Sequence, residues 1–271
     1  TSVSLMRMID VVIFNMRYKK LNIILNYILF SLLIGQAGYD QELDNIFITG
    51  GSFFMGNDSG ESQEIPSHEV IIDDFYIKKT EVTFKEYDFY CEEMNISKPL
   101  DMGFGRGNRP VIMISYFEAK SFCKWLSNKT GRLIRLPTEA EYEYASRGGN
   151  QKSQYIYAGS DHISDIACYY KNSGFKTCMV ATKKPNQLGI YDMSGNVWEW
   201  CEDKYDKDYY KYSPKNNPRG PKYGEDVVVR GGSWGEFEYY CSVTYRGRAI
   251  NPQHRYNDIG FRYVEEIITS D

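Results

Sequence analysis

Histidine is scarce, cysteine never occurs as a Cys-x-x-Cys pair, and neither sign of charge dominates. Three His and six scattered Cys (Cys91, Cys123, Cys168, Cys178, Cys201 and Cys241) in 271 residues support neither a structural zinc site nor a disulfide-built scaffold. Lys and Arg total 32 against 36 Asp and Glu, a net charge of -4. A nucleic-acid partner, whose phosphates demand a basic face, is thereby set aside. A long apolar run is missing as well. Leu21 to Gly35 is interrupted by Asn22 and Asn26 and falls short of the ~20 apolar residues a membrane-spanning helix needs. The glycine-rich Gly103-Phe-Gly-Arg-Gly107 lacks the preceding strand and following helix of a phosphate loop.

Hydrophobic residues make up 42% and charged residues 25%, which excludes wholesale disorder, and the length suits one large domain with an N-terminal extension. Met16-Arg-Tyr-Lys-Lys20 ahead of the apolar Leu21 to Gly35 has the form of a secretory signal. Leu33-Ile34-Gly35 reads like the approach to a lipoprotein cleavage site, with Gln36 standing where a lipid-bearing Cys belongs. The expected layout is an upstream extension (1–15), a signal-like segment (16–38), a linker (39–44), one domain (45–266) and a tail (267–271). The chain is expected to be exported to a bacterial surface or periplasm, with membrane association through the N-terminal segment or a lost lipid anchor. Export would permit a disulfide, and Cys168 with Cys178 is the nearest pair in sequence.

Asn45 to Thr49 alternates as a strand does, and Glu69 to Asp73 and Phe75 to Lys78 suggest two more. The polar loop Asn57 to His68 is expected to be exposed. Three helices announce themselves by a hydroxyl followed three residues later by Glu: Thr83 with Glu86, Ser115 with Glu118, and Thr138 with Glu141. Each pair can form a capping box, the hydroxyl accepting from a helix N–H while the Glu reaches back. The second helix carries Phe117, Phe122, Cys123, Trp125 and Leu126 as an apolar stripe and stops near Gly131. Beyond residue 150 helical periodicity disappears into short apolar pieces separated by Gly, Asn and Pro, which suits an irregular sheet with long loops. The fold class is α+β.

Six segments, in order, are Gly51-Ser-Phe-Phe-Met-Gly56, Thr80-Glu-Val-Thr83, Arg135-Leu-Pro-Thr-Glu-Ala-Glu-Tyr142, Gly195-Asn-Val-Trp-Glu-Trp200, Arg230-Gly-Gly-Ser-Trp234 and Gly260-Phe-Arg262. They resemble the successive signatures of the formylglycine-generating-enzyme, or sulfatase-modifying-factor, family. The resemblance spans residues 45 to 264 and implies an elaborated C-type-lectin-like fold. Family members that oxidise a sulfatase cysteine carry two reactive thiols five residues apart that hold copper(I). The matching positions here are Glu236 and Cys241. A carboxylate is a hard ligand that replaces neither a redox thiol nor a copper(I) donor, so no copper and no formylglycine synthesis are expected. The resemblance also implies calcium on the side chains of Asp192 and Glu199 and the carbonyls of Gly195 and Val197, all hard oxygen donors. A second family calcium site is expected to be absent, because Ala167 stands where an Asn belongs.

Between Trp234 and Asp258 the chain is rich in Tyr, Ser, Gly, Asn and His, the composition of antibody paratopes, in which Tyr supplies rigid amphipathic area. The ligand-binding candidates are Gly235, Glu236, Phe237, Tyr239, Tyr240, Ser242, Thr244, Tyr245, Gly247, His254, Tyr256, Asn257 and Asp258. Trp234, Cys241, Arg246, Pro252 and Arg255 alternate with them as framework. The pattern resembles the variable proteins of diversity-generating retroelements, the Treponema variable protein among them. There, randomised adenines give Tyr, Phe, Ser, Gly, His, Asp, Ile or Val, never Trp, Lys, Gln or Glu. Most of the window obeys that restriction; Glu236, Glu238 and Gln253 do not. The resulting expectation is a non-enzymatic, surface-displayed protein that binds a protein or other macromolecule through this window. The alternatives are an exported family enzyme or maturation factor working through Cys241, and a fixed component of an envelope complex.

Overall fold

The computed structural model describes residues 43–150, 154–247 and 249–267. The signal-like segment, Gln36, most of the linker and residues 268–271 of the tail lie outside the described residues.

Strands β1 (Asn45–Ile48), β2 (Gly51–Met55), β3 (His68–Ile72) and β4 (Phe75–Lys78) open the domain, and β2 pairs with β3 as an antiparallel hairpin. Helices α1 (Phe84–Met94) and α2 (Tyr116–Thr130) follow, then β5 (Leu133–Arg135), α3 (Glu139–Ser146) and the single-turn α4 (Ile163–Ile166). Strands β6 (Trp198–Lys204), β7 (Val227–Arg230), β8 (Ile259–Gly260) and β9 (Val264–Glu266) complete it. One sheet runs β1-β4-β9-β5, so the last strand enters between two early ones: Ile77 faces Val264, and Val264 faces Arg135. The other runs β7-β6-β8, with β6 antiparallel to β7 and parallel to β8. This second sheet gathers three of the sequence signatures, since the Gly-Asn-Val-Trp-Glu-Trp run enters β6, Arg-Gly-Gly-Ser-Trp leaves β7 and Gly-Phe-Arg leaves β8. Mixed α+β architecture is what the periodicities implied.

All three capping boxes form. Thr83, Ser115 and Thr138 each accept from the backbone N–H three residues on, and Glu86, Glu118 and Glu141 accept from the cap N–H in return. Helix α2 ends at Gly131, whose φ of 71° is the left-handed conformation that a residue without Cβ adopts at no steric cost. Helices α1 and α2 meet through aromatic rings, with Tyr87 stacked on Phe122 at 5.6 Å and Phe122 edge-on to Phe261 at 5.4 Å. Much of the unusual tyrosine content is therefore core.

Two expectations need correction. Phe117 is 52% exposed rather than part of the α2 stripe. It lies five positions from Phe122, about 140° round the helix, and rests against Tyr116 instead. The loop from Asn57 to His68 is not uniformly exposed either. Glu64 is buried there, in a short 3-10 turn (Ser62–Glu64) of its own.

Helix α3 is the hub, buried along its whole length although three of its eight residues are Glu. Arginines reach it from the strand just before it and from two distant segments. Arg135 binds Glu141 with two hydrogen bonds of 2.8 and 2.7 Å, Arg246 binds Glu139 at 2.8 Å, and Arg230 binds Glu143 at 2.6 Å. Paired in this way, buried carboxylates specify which segments dock on the helix more than they add net stability.

Candidate recognition face

The window begins where β7 ends, and two glycines let it fold back on itself. A Cβ on Gly232 (φ 79°) would lie 2.6 Å from the Cys241 sulfur and 2.8 Å from the Tyr240 carbonyl oxygen. The contact seats Cys241 in a buried cluster with Tyr157, Ile163, Ile166 and Tyr169. Burial, followed by the charge of Glu236, pushes the Cys241 thiol up to about 12, so it stays protonated at neutral pH and is a poor nucleophile. Glu236 is half-buried and lines a depression outside that cluster.

From below, Arg230 fixes the window's backbone. Its guanidinium donates to the carbonyls of Val243, Thr244 and Tyr245 at 2.9, 3.0 and 2.7 Å while holding Glu143. Gly247 belongs to this scaffold and not to the surface. It is buried, its N–H donates to the Val229 carbonyl at 3.1 Å, and a Cβ there would lie 2.3 Å from the same oxygen. No side chain can be displayed from that position.

The remaining candidates form a ridge with a hollow on each side. Tyr239, Tyr240 and Tyr245 cross edge-to-face, with centroids 5.0 to 5.5 Å apart. One hollow, of about 300 Å³, is lined by Glu236, Tyr240, Tyr245 and Asp258 together with Trp198. The other, of about 320 Å³, takes Tyr239, Ser242 and Thr244 with Tyr155, Ile156 and Arg147. His254 and Tyr256 stand apart, with His254 Nδ1 and the Tyr256 hydroxyl 3.3 Å from each other. Nearby, Arg255 binds the Glu118 carboxylate at the start of α2. Asn257 works through its carbonyl, which accepts from the Trp234 indole at 3.1 Å. Gly235 is exposed.

Two contributors to this face were not found from sequence. Cys168 and Cys178 form a disulfide, and the loop it closes displays Tyr170, 40% exposed, and Phe175, 67% exposed. Tyr170 packs on Phe237 at 4.7 Å and on Phe175 at 5.7 Å, and its N–H donates to the Glu236 carbonyl. Asn196 positions the loop. Its N–H donates to the Cys168 carbonyl at 2.7 Å, and its side-chain oxygen accepts from the Cys178 N–H at 2.9 Å. The Tyr169-Tyr170 pair between two cysteines was the available signal.

The expected calcium donors are close-set but partly engaged. Both Glu199 oxygens accept from Arg262 at 2.8 Å, and one also accepts from the Tyr142 hydroxyl at 3.1 Å. Asp192 accepts from the Ala181 N–H at 2.8 Å. Glu81 is buried beside them, its carboxyl against that of Asp192. Burial and then its carboxylate neighbours raise its pKa, while burial lifts Asp192 to about 6. Asp192 and the Arg262-paired Glu199 are thus the side chains that offer oxygen to a hard cation there. Among the described residues no three His, Cys, Asp or Glu side chains converge as a metal cluster. The expected set supplies only two such side chains and completes itself with carbonyls.

A family model described as the sulfatase-modifying factor enzyme 1-like domain matches residues 32–267. The chain is 31% identical over 244 residues to the serine/threonine-protein kinase pkn1 of Chlamydia caviae, covering 82% of this chain and 38% of that protein. It is 33% identical over 181 residues to the formylglycine-generating enzyme of Streptomyces coelicolor, covering 60% of this chain and 54% of the enzyme. It therefore spans less than two thirds of the length of either relative. Among solved structures, Treponema denticola variable protein 1 superposes with a TM-score of 0.71 at 29% identity, over 82% of this chain and 94% of that one. With the family model covering most of its length and three of its six signature segments gathered on one sheet, the chain belongs to the sulfatase-modifying factor enzyme 1-like domain family, that of the formylglycine-generating enzyme.

Proposed function

We propose that this chain is a non-enzymatic ligand-binding protein, displayed outside the cell, whose contact face is the window 235–258 joined by the disulfide loop. One observation carries the reading: Phe237, Tyr239, Tyr170 and Phe175, all 40% exposed or more, lie in ring contact with the window or its neighbours. Exposed aromatics of this kind, here in two groups (Phe175, Tyr170 and Phe237; Tyr239 with Tyr240 and Tyr245), mark interaction sites, and Tyr is among the residues that dominate binding energy. The carboxylate at Glu236 and the buried, protonated Cys241 support recognition over oxidation. The Cys168–Cys178 disulfide supports export to an oxidising compartment.

The likeness to Treponema denticola variable protein 1 extends the proposal to diversification of the window by a retroelement. Sequencing the same gene from sister isolates tests it. Differences should concentrate at the exposed Phe237 and Tyr239 and the half-buried Ser242 and Tyr256. Gly247, Cys241 and Arg246, all buried, should stay fixed, as should Glu236, Glu238 and Gln253, which adenine randomisation does not produce. A template copy encoding the last ~40 residues, a stretch long enough for a standard contact patch of roughly 20 residues, should lie beside a reverse transcriptase gene. A window identical across isolates that differ elsewhere would leave a fixed binding surface and remove the diversification.

A structural calcium ion on Asp192, Glu199 and the carbonyls of Gly195 and Val197 is part of the proposal. When bound it would balance the buried carboxylates and brace the turn that leads into β6. Calcium at about 100 times its Kd adds about 2.7 kcal/mol to stability, a rise of about 5–10 °C in Tm for a domain of this size. Thermal unfolding in calcium and in chelator, with Asp192→Ala as the control that should lose the difference, checks it.

A further inference from the structure

We propose that the hollow walled by Trp198, Tyr240 and Tyr245 receives an organic cation, the alkylammonium or guanidinium end of a ligand, against the Glu236 carboxylate. The inference rests on the recognition face assigned above and adds the chemistry of what enters it.

The hollow holds about 300 Å³, and its described lining is aromatic, aliphatic or acidic, with no Lys, Arg or His. Its rings cross instead of stacking. Tyr240 meets Tyr245 at 86° with centroids 5.0 Å apart, and Trp198 meets Tyr245 at 47° and 6.0 Å. A wall of angled rings suits a compact cation, which the negative ring faces attract and which loses less hydration there than a carboxylate or phosphate would. The volume accommodates the end of a Lys or Arg side chain, whereas a neutral apolar group in the same place would strip water from Glu236 and return nothing to it.

The local field has the matching sign. The Tyr245 hydroxyl is pushed up to about 12 by burial and then by Tyr240, Glu61, Glu64 and Glu236, and the Cys241 thiol by burial and then by Glu236 and Glu238. The same carboxylates that hold those protons in place favour a cation in the adjoining space. Glu236 occupies the position of a family copper thiolate, so one substitution turns a soft-metal position into one suited to a hard, hydrogen-bonding cation.

Two-dimensional 1H–15N spectra of the folded protein test this, with the Trp198 indole N–H and the Glu236 amide as reporters. The probes are Nα-acetyl-arginine amide, Nα-acetyl-lysine amide and the neutral isostere Nα-acetyl-citrulline amide. The two cations should give saturable shifts at millimolar concentration that weaken with added NaCl, and citrulline amide should give none. Glu236→Gln, checked for unchanged urea stability, should weaken the cations by about tenfold or more. A hexapeptide carrying one central Arg distinguishes the two sources of the cation. Tighter binding than the amino-acid amide points to a side chain presented by a protein, and equal binding to a small free amine. Equal shifts from citrulline and arginine amides, no saturable shift from either cation, or an unaffected Glu236→Gln variant would overturn the proposal. If the cations fail while Phe237→Ser with Tyr239→Ser still abolishes capture of a macromolecular ligand, the cation falls and the recognition face stands. If the cations bind while that double variant leaves macromolecular capture intact, the wider face falls instead.

Discussion

Replacing Arg230 by Met is expected to lower the free energy of unfolding by about 3–5 kcal/mol. The Arg230 side chain is 1% exposed, and its guanidinium serves α3 and the window together through Glu143 and the carbonyls of residues 243–245. Methionine fills much of the volume but strands the fully buried Glu143, leaving it the Arg147 and Gly56 donors alone. Three carbonyls lose their donor in the same step, and an unsatisfied buried acceptor costs more than its hydrogen bond contributed. Lysine in place of Arg230 is expected to recover only part of the loss, because an ammonium lacks the planar fork that reaches the carboxylate and the carbonyls at once. Urea unfolding followed by near-ultraviolet circular dichroism checks the magnitude. Faster amide exchange at residues 243–247 would trace the loss to the window, and a cost below about 1 kcal/mol would mean that Arg230 does not brace it.

Phe237→Ser combined with Tyr239→Ser is expected to do the opposite, leaving stability within about 0.5 kcal/mol for each change while removing ligand capture. The two side chains are 53% and 49% exposed, so little apolar area returns to water on truncation. Their framework contacts are correspondingly light: Tyr170 on the ring of Phe237, and the Glu61 carboxylate accepting from the Tyr239 hydroxyl at 2.7 Å. If they are contact anchors, each contributes about 2 kcal/mol or more to binding. Together that is a loss of roughly a thousandfold in affinity at 1.4 kcal/mol per decade. Surface plasmon resonance against a captured ligand, with urea unfolding alongside, separates the effects. Retained affinity would move the contact face elsewhere on the domain.

The contrast between these two outcomes tracks what was legible in the sequence. Capping boxes could be read because the Thr83–Glu86, Ser115–Glu118 and Thr138–Glu141 hydrogen bonds close over three residues. Strands β1, β3 and β4 could be read from alternation and β-branched content. Strand β7 could not, since Val227 to Arg230 is buried on both faces and shows no period of two. Nor could the interior of α3, where Glu139 and Glu143 are satisfied by arginines 107 and 87 positions away. In the window, residue types located the face but not its division of labour. Gly247 has the look of a paratope residue and is scaffold, because a close approach to β7 decides its role. Tyr170 and Phe175 join the face only because a disulfide and Asn196 bring their loop to it.

Titration of the disulfide-intact protein with copper(I), together with incubation of the copper-treated protein with a sulfatase-derived cysteine peptide, bears most directly on whether this scaffold recognises or transforms. If Glu236 and Cys241 stand at the two thiol positions, as the family resemblance implies, the carboxylate and the burial of Cys241 leave no stoichiometric copper capture and no aldehyde in the peptide. One equivalent of tightly held copper(I), accompanied by conversion of the peptide's cysteine, would contradict the account.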